Sequence, residues 1–179
     1  MADRKSMEKI FRKHSLDDFR WIDPKKIVVS QWVRMKCTFG CDGYGESACC
    51  PPNLPSVQEC ERFFREYEEA VLFHAAVTIP DLKKRRVWSA KVNKKLVEME
   101  REVFLAGNQK AFVLLFATCR FCKDCALTRA GCKDKTHARP TPEAFAVDVF
   151  STARAAGYPI KVVTDYDEKM NRYAILLIK

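Results

Sequence analysis

The chain has no apolar run of the length that export or membrane insertion needs. Its first residues, MADRKSMEKIFRKH, contain no stretch of signal-peptide type, and no later segment approaches the roughly 18 uninterrupted apolar residues of a membrane span. The expectation is a cytoplasmic protein outside the membrane. Internal repeats and low-complexity segments are also missing, which excludes repeat arrays and biased tracts. No Ser/His/Asp set and no paired carboxylates occur in a recognisable motif, so the chain does not read as a dedicated hydrolase. Cysteine is the exception to this sparseness. There are nine, an odd number that counts against complete pairing, and in a reducing compartment they read as metal ligands, redox centres or small buried hydrophobes.

With 179 residues the chain can bury a sizeable core without a metal, and it reads as a single compact α/β domain over 1–179, residues 1–20 being an N-terminal helical arm. Met7, Ile10, Phe11 and His14 recur in that arm at helical spacing. KIVVSQWVRMKC predicts a strand that delivers Cys37. Ser56 and Glu59 have capping-box spacing ahead of a helix whose apolar face includes Cys60, read as a buried hydrophobe. AVLFHAAVTI predicts a buried strand. The next helix starts near Ser89 and stops at Gly107-Asn108, and KAFVLLFA is a further strand ending at Cys119.

Thr141 and Pro142 open a helix expected to run through EAFAVDVFSTARAA to Gly157. That reading puts Asp148 in a helix interior, where aspartate is a poor former and needs either a specific hydrogen bond or solvent. IKVVT and the terminal YAILLI complete the strands and are close enough to pair as a hairpin. Helices between most strands predict a mixed, partly parallel sheet flanked by helices, with two cysteine-rich metal-binding loops.

The formal net charge is +9, with basic clusters at Lys83, Lys84, Arg85, Arg86 and at Lys91, Lys94, Lys95. Such a surface attracts anionic partners in general, and a solvated face is its plainest reading. Trp88 is the only aromatic within the run, which argues against a nucleic-acid platform. The partner class expected is an acidic redox protein or a metalloenzyme.

The downstream cysteines, Cys119, Cys122, Cys125 and Cys132, have the spacing C-x2-C-x2-C-x6-C in a loop after a buried strand. Zinc sites favour C-x2-C knuckles separated by a longer excursion. A third cysteine two residues on suits a cubane, whose iron corners are spread out, although the bacterial ferredoxin run has a shorter final gap followed by proline. An iron–sulfur cluster of the [4Fe-4S] type is therefore the first reading, with zinc or free thiols as alternatives. His137 is either a substitute ligand or an exposed side chain.

The upstream segment, CTFGCDGYGESACCPPN, carries Cys37, Cys41, Cys49 and Cys50, with glycines that let the backbone approach an inorganic core. Cys37-x3-Cys41 opens like a radical S-adenosylmethionine motif, but Tyr44 stands where the third cysteine belongs. Neighbouring side chains rarely serve one metal, so one of Cys49 and Cys50 is a bystander and Cys50 is kept as the ligand.

At these residues the chain resembles the predicted metal-binding proteins grouped as domain of unknown function 2284. The shared points are Cys37, Cys41, Tyr44-Gly45, Cys50-Pro51-Pro52, the four downstream cysteines, and RPTPEAFAVDVFSTARAAG from Arg139. The resemblance implies metal binding by Cys37, Cys41 and Cys50 as one group and by Cys119, Cys122, Cys125 and Cys132 as another, with iron–sulfur clusters expected; it implies no reaction. Cys49 and Ala146 depart from the pattern, glycine being usual at position 146.

The function expected is that of a small iron–sulfur protein carrying electrons or serving a redox enzyme. One or two clusters are expected: a fully ligated one downstream, alone or with a second, upstream, that has an open iron. The alternative is a structural zinc protein acting as a binding module. Arg139 is expected to donate to a cluster sulfide, to anchor the loop, or simply to lie on the surface.

Overall fold

The structure, a computed structural model, describes residues 3–179. Five α-helices and four strands occur among them, in the order α1 (Arg4–Lys13), β1 (Phe19–Ile22), α2 (Gln31–Gly40), α3 (Val57–Arg65), β2 (Ala70–Val77), α4 (Leu82–Leu105), β3 (Phe112–Leu114), α5 (Val149–Ala155) and β4 (Met170–Leu177). The strands form one sheet in the order β1-β2-β4-β3, and every neighbouring pair is antiparallel. β2 and β4 pair along their whole length, from Ala70 opposite Leu177 to Val77 opposite Met170.

The antiparallel sheet corrects the expectation of partly parallel strands, and burial explains the misreading. Both faces of the sheet are covered, so alternate residues of one strand enter different cores. Val71, Phe73, Leu176 and Ile178 pack with Met7 and Phe11 of α1 and Leu96 and Met99 of α4. Leu72, Ile175 and Leu177 pack instead with Cys60 and Phe64 of α3. A strand buried on both faces is apolar at every position. Such runs are usual in parallel sheets, but they report covered faces and not direction.

Two segments expected as strands lie outside the sheet. IVVS contributes a single bridge, Val29 to Val147, before the chain turns at Ser30 into α2, so Cys37 rides on a helix and not at a strand end. IKVVT stays in a loop in which Val162 is 70% exposed, and Lys161 and Thr164 are tied to Glu168. β1 went unrecognised because FRWI is short and only half-buried.

The helices follow their caps. Asp3 accepts from Ser6 N at 2.8 Å to open α1, which buries Met7 and Phe11 as expected. Ser56 and Glu59 cap each other's backbone groups at the start of α3. α4 begins seven residues before Ser89, because Asp81 accepts from Lys84 N at 2.7 Å, and it ends where Gly107 adopts φ 96°.

The helix expected from Pro142 to Gly157 is divided. A 3-10 turn, Glu143–Phe145, is closed by Ala146 at φ 59°, a left-handed conformation that explains why glycine suits this position. Asp148 then caps α5, accepting from Ser151 N at 3.0 Å and Ser151 Oγ at 2.6 Å. It is a cap with a specific hydrogen bond, not an interior residue.

Candidate metal centre

Cys37 lies in the last turns of α2 and Cys41 is its C-terminal cap. A spacing of four residues puts both on one side of the helix, a turn apart. Cys37 Sγ is 3.9 Å from Glu143 O, so the 3-10 turn backs this pair. The chain then reverses through Gly45, at φ 76°, and returns Cys50 to the same place. Cys37, Cys41 and Cys50 line one wall of an open cavity of about 500 Å³. Burial, and next the neighbouring Cys41, push the Cys37 and Cys50 thiols up from their ordinary value. Arg34 opposes this shift at Cys37 without cancelling it, and a bound cation would favour the thiolate form at all three sulfurs.

The downstream loop carries its four cysteines onto a second, much tighter cleft. Cys119, Cys122, Cys125 and Cys132 line it, and so does Cys49. Asn93 Nδ2 donates to Ala117 O at 2.8 Å where the loop leaves the sheet, and Asn53 Nδ2 donates to Leu127 O at 2.7 Å near its tip. Where the loop returns, Arg139 pairs with Glu100, each of the two closest N–O distances being 3.0 Å. Glu100 is only 4% exposed and also accepts from Val113 N at 2.9 Å. Arg139 therefore anchors the loop through α4. Its guanidinium is directed to a carboxylate.

The backbone N–H of Ala48 points at Cys125 Sγ, 3.4 Å away. The proximity of Cys119, with burial adding to it, raises the Cys49 thiol, and the proximity of Cys49 lowers that of Cys119. In the lowering of Cys119 the nearness of Cys49 leads; burial opposes it, and the main chain at Phe121 and Arg139 assists. Adjacent cysteines thus face opposite ways, Cys49 to the downstream cleft and Cys50 to the upstream cavity.

Cys49, Glu100 and Asn93 were missed by sequence reasoning. The doublet was itself the signal for Cys49: neighbouring side chains that cannot share one site can serve two. His137 is turned to Asp134, with Nδ1 2.9 Å from Oδ1, and lines neither cavity. Cys60 is fully buried within the apolar core, with Sγ 3.7 Å from Pro55 O, as expected of a small hydrophobe.

Among the described residues, no three His, Cys, Asp or Glu side chains close on a common point with metal-binding geometry, and all nine cysteines are free. The donor chemistry nonetheless fits a thiophilic metal, with five sulfurs on one cleft and an amide directed at one of them. Space is the tighter constraint. The downstream cleft holds about 20 Å³, on the order of a single water. That volume is of the size of a single ion and smaller than a four-iron cubane.

Fold and donor chemistry together define an α/β protein with two thiol-lined sites of the kind that thiophilic metals occupy. Residues 20–178 match the family described as predicted metal-binding proteins, domain of unknown function 2284, and the chain belongs to that family. The comparison with curated proteins and the comparison with solved structures each found no match. No helix among the described residues is long and apolar enough to cross a membrane.

Proposed function

We propose that the protein is an iron–sulfur protein with an electron-transfer or redox-accessory role. Cys119, Cys122, Cys125 and Cys132 are the proposed ligands of a [4Fe-4S] cluster, and Cys37, Cys41 and Cys50 those of a second with one iron free of protein sulfur. What supports this reading is how the thiols are sorted. These seven line two separate cavities in the two groups that their spacing defines.

A bound cluster supplies reversible one-electron chemistry at a potential set by burial, charge and hydrogen bonds to sulfur. The chain's own residues act on that setting. Ala48 N–H stabilises negative charge on Cys125, Glu100 and Arg139 fix the loop, and the Cys49-Cys50 peptide joins the two thiol walls. Lys83, Lys84, Arg86 and Lys91 are exposed along α4 and would steer an acidic redox partner toward the protein.

The volume of the downstream cleft favours a second reading, in which one zinc ion sits among thiolates and fastens the loop of a binding module. Purification without oxygen separates the two. Equal iron and acid-labile sulfide, a brown colour and a paramagnetic resonance signal after reduction are expected for the first reading. A colourless protein containing zinc alone establishes the second.

A further inference from the structure

The cavity in front of Cys37, Cys41 and Cys50 has four arginines in its lining, set among apolar and neutral polar residues such as Phe116, Thr118 and Tyr166. Arg85, Arg86, Arg120 and Arg172 line it, against a single carboxylate, Glu143. Among the described residues none of the four is ion-paired, in contrast to Arg139 with its two contacts to Glu100. Arg172 projects from β4 and is half-buried, and among the described residues its side chain has one hydrogen-bond partner, Met170 Sδ, 3.1 Å from Nε. Burial pulls its basicity down; Glu143 nearby opposes this and Arg85 adds to it.

Arg85 is held in place by Ile79 O, which accepts from Nε at 3.0 Å and from Nη2 at 2.6 Å, by Tyr166 O, which accepts from Nη2 at 3.4 Å, and by the Tyr166 ring, 4.7 Å from Cζ. Its Nη1 has no protein acceptor among the described residues. A guanidinium withdrawn from water without a carboxylate lacks the partner that would offset its desolvation, and an oxyanion is the natural one. A volume of about 500 Å³ also lies within the range of small-molecule sites.

We propose that this cavity binds a small molecule bearing two carboxylate or phosphate charges, held by Arg85 and Arg172 with Arg86 and Arg120 at the rim, against the wall formed by the three thiols. The site deepens the iron–sulfur reading by naming what would meet an open iron. The arginines bind the anion whether or not a metal is present.

Isothermal titration calorimetry on the anaerobically purified full chain tests this, using inorganic pyrophosphate and succinate at constant ionic strength with chloride as the reference anion. Saturable binding of one molecule per chain is expected for at least one probe, and the probe preferred identifies phosphate or carboxylate. Arg172→Gln should weaken binding by about tenfold or more, while Arg101→Gln, on the exposed side of α4, should not. If Arg172→Gln fails to fold, the exposed Arg120→Gln serves in its place, with weaker binding again expected.

Absence of saturable binding by either probe, or equal loss in Arg101→Gln, overturns the proposal. Iron, sulfide and zinc are measured on the same samples. Binding by protein that holds no iron supports the anion site and counts against the clusters, whereas iron-loaded protein that binds neither probe fails the anion site alone.

Discussion

Asp148 and Ala146 show how much one backbone conformation decides in this protein. Ala146 holds φ 59° while fully buried, a conformation that opposes any side chain branched at Cβ. Ala146→Val should destabilise the fold by about 2 kcal/mol, read from urea unfolding midpoints. Asp148→Ala removes the cap of α5 and should cost about 1 kcal/mol in the same assay. Asp148→Asn keeps an acceptor and should recover most of that loss. From sequence the aspartate stood out as misplaced in a helix, and the anomaly was real. Its resolution, a helix start, could not be seen because a buried alanine does not announce a left-handed turn as glycine does. Cys49 posed the same difficulty: adjacency excluded a shared site, but only the turn shows that the two side chains part.

Elements were legible where caps and periodicity agreed. α1, α3, β2 and β4 were recognised, and α4 was recognised in its later turns, because Val92, Leu96, Met99 and Val103 repeat on one side. Its first turns are mostly exposed and carry no such pattern, so the expected start fell late. The Glu100–Arg139 link between α4 and the downstream loop was invisible, since 39 residues separate its partners. Burial pushes the Glu100 carboxyl up from its ordinary value although Arg139 opposes that shift. Arg139→Ala strands this carboxylate and should cost about 3 kcal/mol at neutral pH. A raised folded value makes the contribution of Glu100 to stability full below its unfolded value and lost as pH rises through the folded one. The variant should therefore lose more stability at pH 8 than at pH 5, which paired urea titrations would measure.

The loop between α5 and β4 titrates in the opposite sense. Lys161 and the N–H and hydroxyl of Thr164 hold the Glu168 carboxyl down to about 2. The ties it makes are complete above the ordinary glutamate value and are lost only as pH falls through about 2. Carbon-detected NMR titration should place the Glu168 midpoint there, and Lys161→Ala should move it upward.

For the molecule as a whole, the sheet and its two cores stand apart from the cysteine loops. The largest buried side chains belong to α1, α4, β2, β3, β4 and the residues that directly follow β3 and β4, and only Cys60 among the cysteines is fully buried in that framework. Stripping metal from the loaded protein should leave the sheet folded while lowering Tm by about 2–4 °C for each kcal/mol of binding lost, seen by calorimetry before and after chelation. The α/β class was legible from the sequence because burial patterns encode layers. Strand direction was not, since a sheet covered on both faces erases the alternation that would have marked it. The grouping of the cysteines was legible because each group is local in sequence; the opening of one cavity toward arginines from α4, β4 and the downstream loop depends on tertiary packing.

The account rests on the downstream thiols acting together on one metal centre. The most direct measurement is metal per chain, with acid-labile sulfide, in anaerobically prepared wild type, Cys122→Ser/Cys125→Ser and Cys60→Ala. The account predicts that the double variant loses the downstream metal while Cys60→Ala keeps the wild-type amount. A double variant with undiminished metal, or a wild type that binds none, would contradict it.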